Sequence, residues 1–235
     1  MQLFFDFDGT LADSSPGIYA SFQLACQSLG LDTPDYAVFC HSIGPPIQHL
    51  ALRFFPELSE DQVETFRQIF RHDYDTIRYQ QCQWYAGVRS TIETLASIAG
   101  TRLAIITNKP TRPTLELLKA GLLSEFFELV IGIDYQIIQG EGPLFPNKAA
   151  AIMCAHHRLP SSGSVGIYVG DTPSDQRASL ACGLRFIAAT YGFYRWREEE
   201  LEGIDSLADI DDLIPMLLPL RSDGQAEPLS SASLT

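Results

Sequence analysis

Two aspartates stand one residue apart in Asp6-Phe7-Asp8-Gly9-Thr10, directly after the apolar run Leu3-Phe4-Phe5. A short apolar run closed by a turn signal predicts a buried strand that ends at the acids. Open α/β sheets carry their reactive groups at that carboxyl end. Side chains alternate along a strand, so Asp6 and Asp8 are expected on one side and Phe7 on the other. Two acids on one side can share a cation and divide the chemistry. The same residues also suit a plain turn, because Gly9 tolerates positive φ and Asp8 can hydrogen-bond its own backbone.

Three further stations follow. Leu103-Ala104-Ile105-Ile106-Thr107-Asn108-Lys109-Pro110 is a second apolar run, ending in a hydroxyl, an amide and a proline. Lys148 opens an Ala-rich segment after Gly140-Glu141-Gly142-Pro143, in the first turn of a predicted helix. A lysine there runs against the macrodipole's preference for acids. The run Val165-Gly166-Ile167-Tyr168-Val169-Gly170 delivers Asp171, and Asp175 follows in the first turn of the next helix. Singly, each has an ordinary explanation: Thr107 as a strand-end hydroxyl, Lys148 as a surface lysine, Asp171 as a cap, Asp175 as a dipole partner. Together, an acid pair, a hydroxyl, a lysine and a second acid pair form a phosphoryl-transfer set.

The elements needed to position this set are legible as pattern. Helices over residues 88–99, 113–121 and 174–182, and one starting at Lys148, alternate with strands at 103–106, 129–131, 165–169 and 184–189. That alternation predicts a doubly wound parallel sheet. Residues 13–82 interrupt it with helical spacing, as in residues 18–26 and in Val63, Phe66, Phe70, Tyr74 and Ile77. This block reads as a domain inserted after the first strand. One more helix is expected over residues 207–220, and the Ser-, Gly-, Ala- and Pro-rich tail 221–235 reads as disordered.

The four stations, in order from Asp6 to Asp175, resemble the four motifs of the haloacid dehalogenase superfamily, in the branch similar to phosphoglycolate phosphatases. Trp84-Tyr85-Ala86-Gly87-Val88 resembles that family's re-entry into its core domain, and Ile43-Gly44-Pro45-Pro46-Ile47 resembles its cap loop. The resemblance implies a Rossmann-like α/β core over residues 1–13 and 84–220 with a small helical cap domain over 14–83. It implies a Mg2+-dependent phosphatase acting on a small phosphate monoester, 2-phosphoglycolate first among candidates. Asp6 would be the nucleophile that forms an aspartyl phosphate, and Asp8 the general acid and then base, offering its backbone carbonyl to the metal. Asp171 would supply another carboxylate to the metal, and Asp175 would orient the site or hold a metal-bound water. Thr107 and the Asn108 N–H would grip the phosphoryl oxygens, and Lys148 would neutralise nucleophile and phosphoryl group. Lys109 and Lys119 are the other lysine candidates. Pro146-Asn147-Lys148-Ala149 departs from the Lys-Pro order of many relatives and resembles a minority pattern in which lysine opens the helix.

Composition agrees with this class. The 235 residues are 46% hydrophobic and 19% charged, enough for a full core and a small second one. A formal net charge of −13 argues against nucleic-acid partners, which demand basic patches. The five cysteines, Cys26, Cys40, Cys82, Cys154 and Cys182, are scattered and read as free thiols in a reducing compartment. No run approaches the roughly 18 apolar residues of a membrane span, and the first strand leaves no room for a signal peptide. A soluble cytoplasmic enzyme, monomeric or homodimeric, is expected.

Other chemistries are weighed against this. A dehalogenase lacks the acid two residues after the nucleophile, which Asp8 supplies. A response-regulator receiver needs neither the inserted helices nor Asp171. A sugar phosphomutase resembling β-phosphoglucomutase shares every station, though Thr10 leans toward a phosphatase. A pyrophosphatase, a nucleotidase and a non-catalytic binding relative stand as further alternatives. Among the histidines, His49, His72, His156 and His157 read as structural, and His41, beside Gly44-Pro45-Pro46, is held open as a substrate contact. Arg53 reads as a surface residue, with a substrate carboxylate as its other possible partner.

Overall fold

In a computed structural model, which describes residues 1–132, 145–159 and 166–218, the first apolar run forms strand β1 (Gln2–Phe5). The chain continues through β2 (Ala12–Asp13) into helices α1 (Ser15–Ser28), α2 (Tyr36–Cys40), α3 (Ile47–Phe54) and α4 (Glu60–Thr76). It returns through a 3-10 turn and β3 (Gln83–Trp84). Then α5 (Val88–Ser97), β4 (Arg102–Ile106), α6 (Thr111–Ala120) and β5 (Leu129–Ile131) alternate. After residues 133–144 come α7 (Lys148–Arg158), β6 (Ile167–Gly170), α8 (Pro173–Ala181) and β7 (Arg185–Ala189). Short elements α9 (Glu198–Leu201), β8 (Asp205–Leu207) and α10 (Leu213–Leu217) follow.

The main sheet is parallel throughout, in the order β5-β4-β1-β6-β7-β8. Strands buried on both faces read as continuous apolar runs, and this is why β1, β4 and β6 stood out in the sequence. Alternation divides their side chains between two layers. Leu3, Phe5, Ile105 and Val169 face one side, where α5, α6 and α10 contribute Ile92, Leu118 and Leu213. Phe4, Ile106 and Tyr168 face the other, against Ala151, Ile152 and Ala155 of α7. Placing β1 between β4 and β6 sets Asp6 between Thr107 and Asp171 at one edge, because each lies just past the end of its strand.

Helices α1 to α4 form a layer whose apolar stripes meet around Phe22. Its ring centroid lies 4.7 Å from Phe39 and 4.9 Å from Phe66, each at a tilted or edge-on angle. Removing such a ring costs about 3–5 kcal/mol, so this cluster holds the layer together. Ser59 and Gln62 cap α4 reciprocally. The two chain crossings into and out of this layer pair as an antiparallel ribbon, Ala12 with Trp84 and Asp13 with Gln83.

Two expectations need correction. The single helix over residues 207–220 is replaced by strand β8, which ends at Leu207, a 3-10 turn and the five-residue α10; residues 219 and 220 lie outside the described residues. Only Leu207 of β8 is buried, so an edge strand of three residues carries no period to read. The strand expected at residues 165–169 is β6 at Ile167–Gly170, with Val165 outside the described residues. The loop at residues 140–143 and the tail 221–235 also lie outside them.

Candidate active site

Asp6 continues the line of β1, its N–H donating to Val169 O at 2.9 Å. Its Oδ1 accepts from the Phe7 N–H at 2.8 Å, which orients the carboxylate by its own backbone. Lys148 Nζ donates to Asp6 Oδ2 at 2.9 Å and to Asp175 Oδ1 at 2.5 Å. Helix starts explain the delivery of both partners. Asn147 caps α7 by accepting from Ala150 N, which fixes Lys148 as the first helical residue. Thr172 and Asp175 form a reciprocal capping box on α8, with Thr172 N donating to Asp175 Oδ2 at 3.1 Å. One Asp175 oxygen is thereby committed to the helix start, and the other faces Lys148. The macrodipole cost of a lysine at this position is offset by the two carboxylates.

Asp171 sits at the end of β6, 1% exposed. Its Oδ2 accepts from the Phe193 N–H at 2.9 Å, and Thr10 Oγ1 stands 3.5 Å from Oδ1. Gly9, at φ +80°, passes so close that a Cβ there would lie 2.2 Å from Asp171 Oδ2. Asp6, Asp171 and Asp175 each offer a carboxylate oxygen within 4.8 Å of the others. Three buried acids against one ammonium leave a negative excess in a dry site, and that excess, built from oxygen donors alone, fits a hard divalent cation.

The electrostatics follow from this crowding. Burial raises Asp6 to about 6, with Lys148 opposing and Asp175 adding to the rise. Burial and the charges of Asp175 and Asp6 hold Asp171 well above the usual carboxylate range. Burial alone would lower Lys148, but Asp175 and Asp6 outweigh it and keep the ammonium well above the ordinary lysine value.

Asp8 turns to a different lysine. Lys109, 2% exposed, donates from Nζ to Asp8 Oδ1 at 3.0 Å and to the hydroxyl of Tyr74 on α4. Its ammonium lies 4.7 Å from the Tyr74 ring centroid and 5.5 Å from that of Phe7. Lys109, a candidate for the position that Lys148 occupies, thus has a different place, as the partner of Asp8. Its sequence neighbours, Asn108, Pro110 and Thr111, carry no signal of this role, which comes from Tyr74 on the helical layer.

Asp6, Asp8, Thr107, Asn108 and Lys109 line one wall of a cavity of about 70 Å³. Thr107 Oγ1 accepts from the Lys109 N–H at 3.2 Å, which fixes the turn after β4. Asn108 Nδ2 donates to Gly44 O at 3.1 Å, holding the Gly44-Pro45-Pro46 loop over the opening. The opposite wall comes from the helical layer: Ile18, Ile43, Ile47, Leu50 and Phe70, together with Arg71 and Tyr74. His41 does not line this cavity. Its Nδ1 is 3.1 Å from Phe193 O and its Nε2 accepts from Arg195 Nε at 2.7 Å, so the ring is occupied in bracing the loop after β7. Arg53 is exposed at the end of α3 and also absent from the lining.

The profile of haloacid dehalogenase-like hydrolases matches residues 3–189. This chain belongs to that family. The haloacid dehalogenase-like hydrolase from Streptococcus pneumoniae superimposes with a TM-score of 0.77 at 28% identity, over 92% of this chain and 97% of that one. Phosphoglycolate phosphatase of Yersinia pestis is 30% identical over 225 residues, 93% of this chain and 94% of the relative. That of Pseudomonas putida is 30% identical over 246 residues, 98% of this chain and 81% of its own length. The parallel sheet with helices on both faces is thus the haloacid dehalogenase-like fold, and the chain is a hydrolase whose curated relatives are phosphatases. Among the described residues, no helix is long and apolar enough to cross a membrane.

Proposed function

We propose that this hydrolase is a Mg2+-dependent phosphatase that cleaves a small phosphate monoester through an aspartyl phosphate on Asp6, with 2-phosphoglycolate as the first candidate substrate. The observation that carries this reading is Lys148 held between Asp6 and Asp175, with Asp171 completing a buried acidic cluster. The similarity to phosphoglycolate phosphatases supports the choice of substrate.

Asp6, Asp171 and the backbone carbonyl of Asp8 would hold the magnesium ion, with Asp175 orienting Lys148 and its surroundings. Bound there, the ion would supply the charge neutralisation that lets a carboxylate approach a phosphate dianion. Asp6, raised only to about 6, is mainly ionised at neutral pH and attacks phosphorus. The bond from phosphorus to the leaving oxygen breaks as a proton passes to it from Asp8, which must carry that proton in the reacting complex although it faces Lys109 in the free protein. Ionised Asp8 then takes a proton from a water that attacks the aspartyl phosphate, releasing inorganic phosphate and restoring Asp6. Thr107, the Asn108 N–H and Lys148 hold the phosphoryl oxygens, and such fixed donors need little reorganisation as charge moves.

In this reading residues 14–83 are a cap over a core of residues 1–13 and 84–220. The ribbon of β2 and β3, where the chain leaves and re-enters the core, supports that division. The cap's apolar wall and the Gly44 loop would keep bulk water from the phosphoryl group during its transfer to Asp6, and the departing alcohol would vacate the space that the single hydrolytic water takes. The test is acid-quenching of enzyme mixed with a radiolabelled monoester. Label should remain on the chain, be released by hydroxylamine as an acyl phosphate, map to the peptide containing Asp6, and be absent in Asp6→Asn. Turnover without any acid-stable label under rapid quenching would contradict a covalent route.

A further inference from the structure

The cavity has a second charged end that phosphoryl transfer does not use. Arg71, on α4, lines it from the helical layer, across from Asp6 and Thr107. Its Nη1 forms an i,i+4 ion pair with Asp75 Oδ1 at 3.6 Å, longer than a hydrogen bond, and with side chains 21% and 29% exposed this loose pair can be exchanged for a ligand anion. The guanidinium carbon lies 5.7 Å from the Phe70 ring centroid, which leaves a planar fork of donors supported on an aromatic face. Among the described residues, the other cation of this lining, Lys109, is already engaged with Asp8 and Tyr74.

The Tyr74 hydroxyl on the same wall is taken up by Lys109. Among the described residues, the rest of that wall, Ile18, Ile43, Ile47, Leu50 and Phe70, offers a leaving group no hydrogen-bonding side chain. A sugar or nucleoside would press several hydroxyls against these residues, each unmet hydroxyl weakening binding on the order of 10-fold. A cavity of about 70 Å³ also favours a leaving group of few atoms. A short group ending in an anion meets none of these objections, because its single polar end can reach the Arg71 fork.

We infer that Arg71 is a specificity-determining residue that selects phosphate monoesters whose short leaving group ends in a carboxylate. This rests on the phosphatase reading for its catalytic setting, but its own content is a recognition site for a second anion on the cap side of the cavity.

Binding separates the two claims. Calorimetry with Asp6→Asn protein and excess MgCl2 compares 2-phosphoglycolate with ethyl phosphate, which has the same chain length and no carboxylate. The carboxylate ester should bind about 10- to 100-fold more tightly. Adding Arg71→Ala should close most of that gap, and Arg71→Lys should restore part of it. Arg71→Gln, which keeps the stem on Phe70, serves if the alanine variant unfolds. In turnover by the otherwise wild-type enzyme, Arg71→Ala should collapse the ratio of kcat/KM between the two esters by a similar factor. An unchanged gap, equal weakening of both ligands, or no preference to begin with would overturn the assignment. An Arg71-dependent gap in binding with no turnover of any ester would leave the assignment standing and remove the phosphatase reading.

Discussion

Asp8 Oδ1 lies 3.0 Å from Nζ of Lys109, while Asp6, two residues earlier, takes its ion pair from Lys148. The two acids therefore serve one cavity but answer to separate lysines on separate elements. The Lys109 side chain is fully buried, against 19% exposure for its partner. Asp8→Ala should accordingly leave a buried ammonium without its counter-charge and destabilise the fold by about 3 kcal/mol. Urea unfolding measures this; a loss below about 1 kcal/mol would mean that Lys109 finds another partner.

Gly9 is needed both for its φ of +80° and for its closeness to Asp171. Gly9→Ala should push the loop away from Asp171, costing about 1–2 kcal/mol for the left-handed backbone alone and more for the contact. Magnesium affinity, read by calorimetry, should fall at least about 10-fold, whereas Gly30→Ala, with open space around it at a similar φ, should leave that affinity unaltered.

Metal-free protein should lose stability as pH rises from about 4 to 6. Asp6 titrates near 6 when folded and near 3.8 when unfolded, so between those values the folded state holds more protons. Raising pH across that window therefore favours unfolding, and the upward shift of Asp171 adds in the same direction. Thermal melts in EDTA should show Tm falling on the order of 5 °C over the window. Asp6→Asn should flatten the slope. A Tm that climbs across the same window in wild-type protein would contradict the acidic cluster.

How far the site could be read beforehand follows from where each residue gets its position. Asp6, Thr107 and Asp171 each end an apolar run, so the strands that position them are visible in the chain itself. Lys148 and Asp175 open helices behind Asn147 and Thr172, cap residues with a local signature. Lys109 and Arg71 have no such mark. Their roles come from the packing of α4 on the core, where Tyr74 meets Lys109 across 35 positions of sequence. His41 pointed the wrong way for a related reason: its neighbours in sequence suggested the cavity, but its ring partners, Phe193 and Arg195, lie 152 and 154 residues away. Strand β8 went unread because three residues with one buried side chain make no pattern.

His41 ties the helical layer to the loop that carries Phe193, whose N–H holds Asp171. His41→Ala should lower stability by about 1 kcal/mol and weaken magnesium binding a few-fold while sparing the selectivity between carboxylate and neutral esters. Paired calorimetry on the metal and on the two esters checks this, and a loss of ester selectivity would return His41 to the cavity.

The cluster of Asp6, Asp171, Asp175 and Lys148 should hydrolyse phosphate monoesters with magnesium. Purified protein should release phosphate from a panel of monoesters that includes 2-phosphoglycolate, in MgCl2 and with Asp6→Asn beside it. Turnover of a short carboxylate-bearing ester should stand well above the rest, be abolished by EDTA and fall at least about 1,000-fold in Asp6→Asn. Phosphate release that persists in Asp6→Asn, or silence across the whole panel, would contradict it.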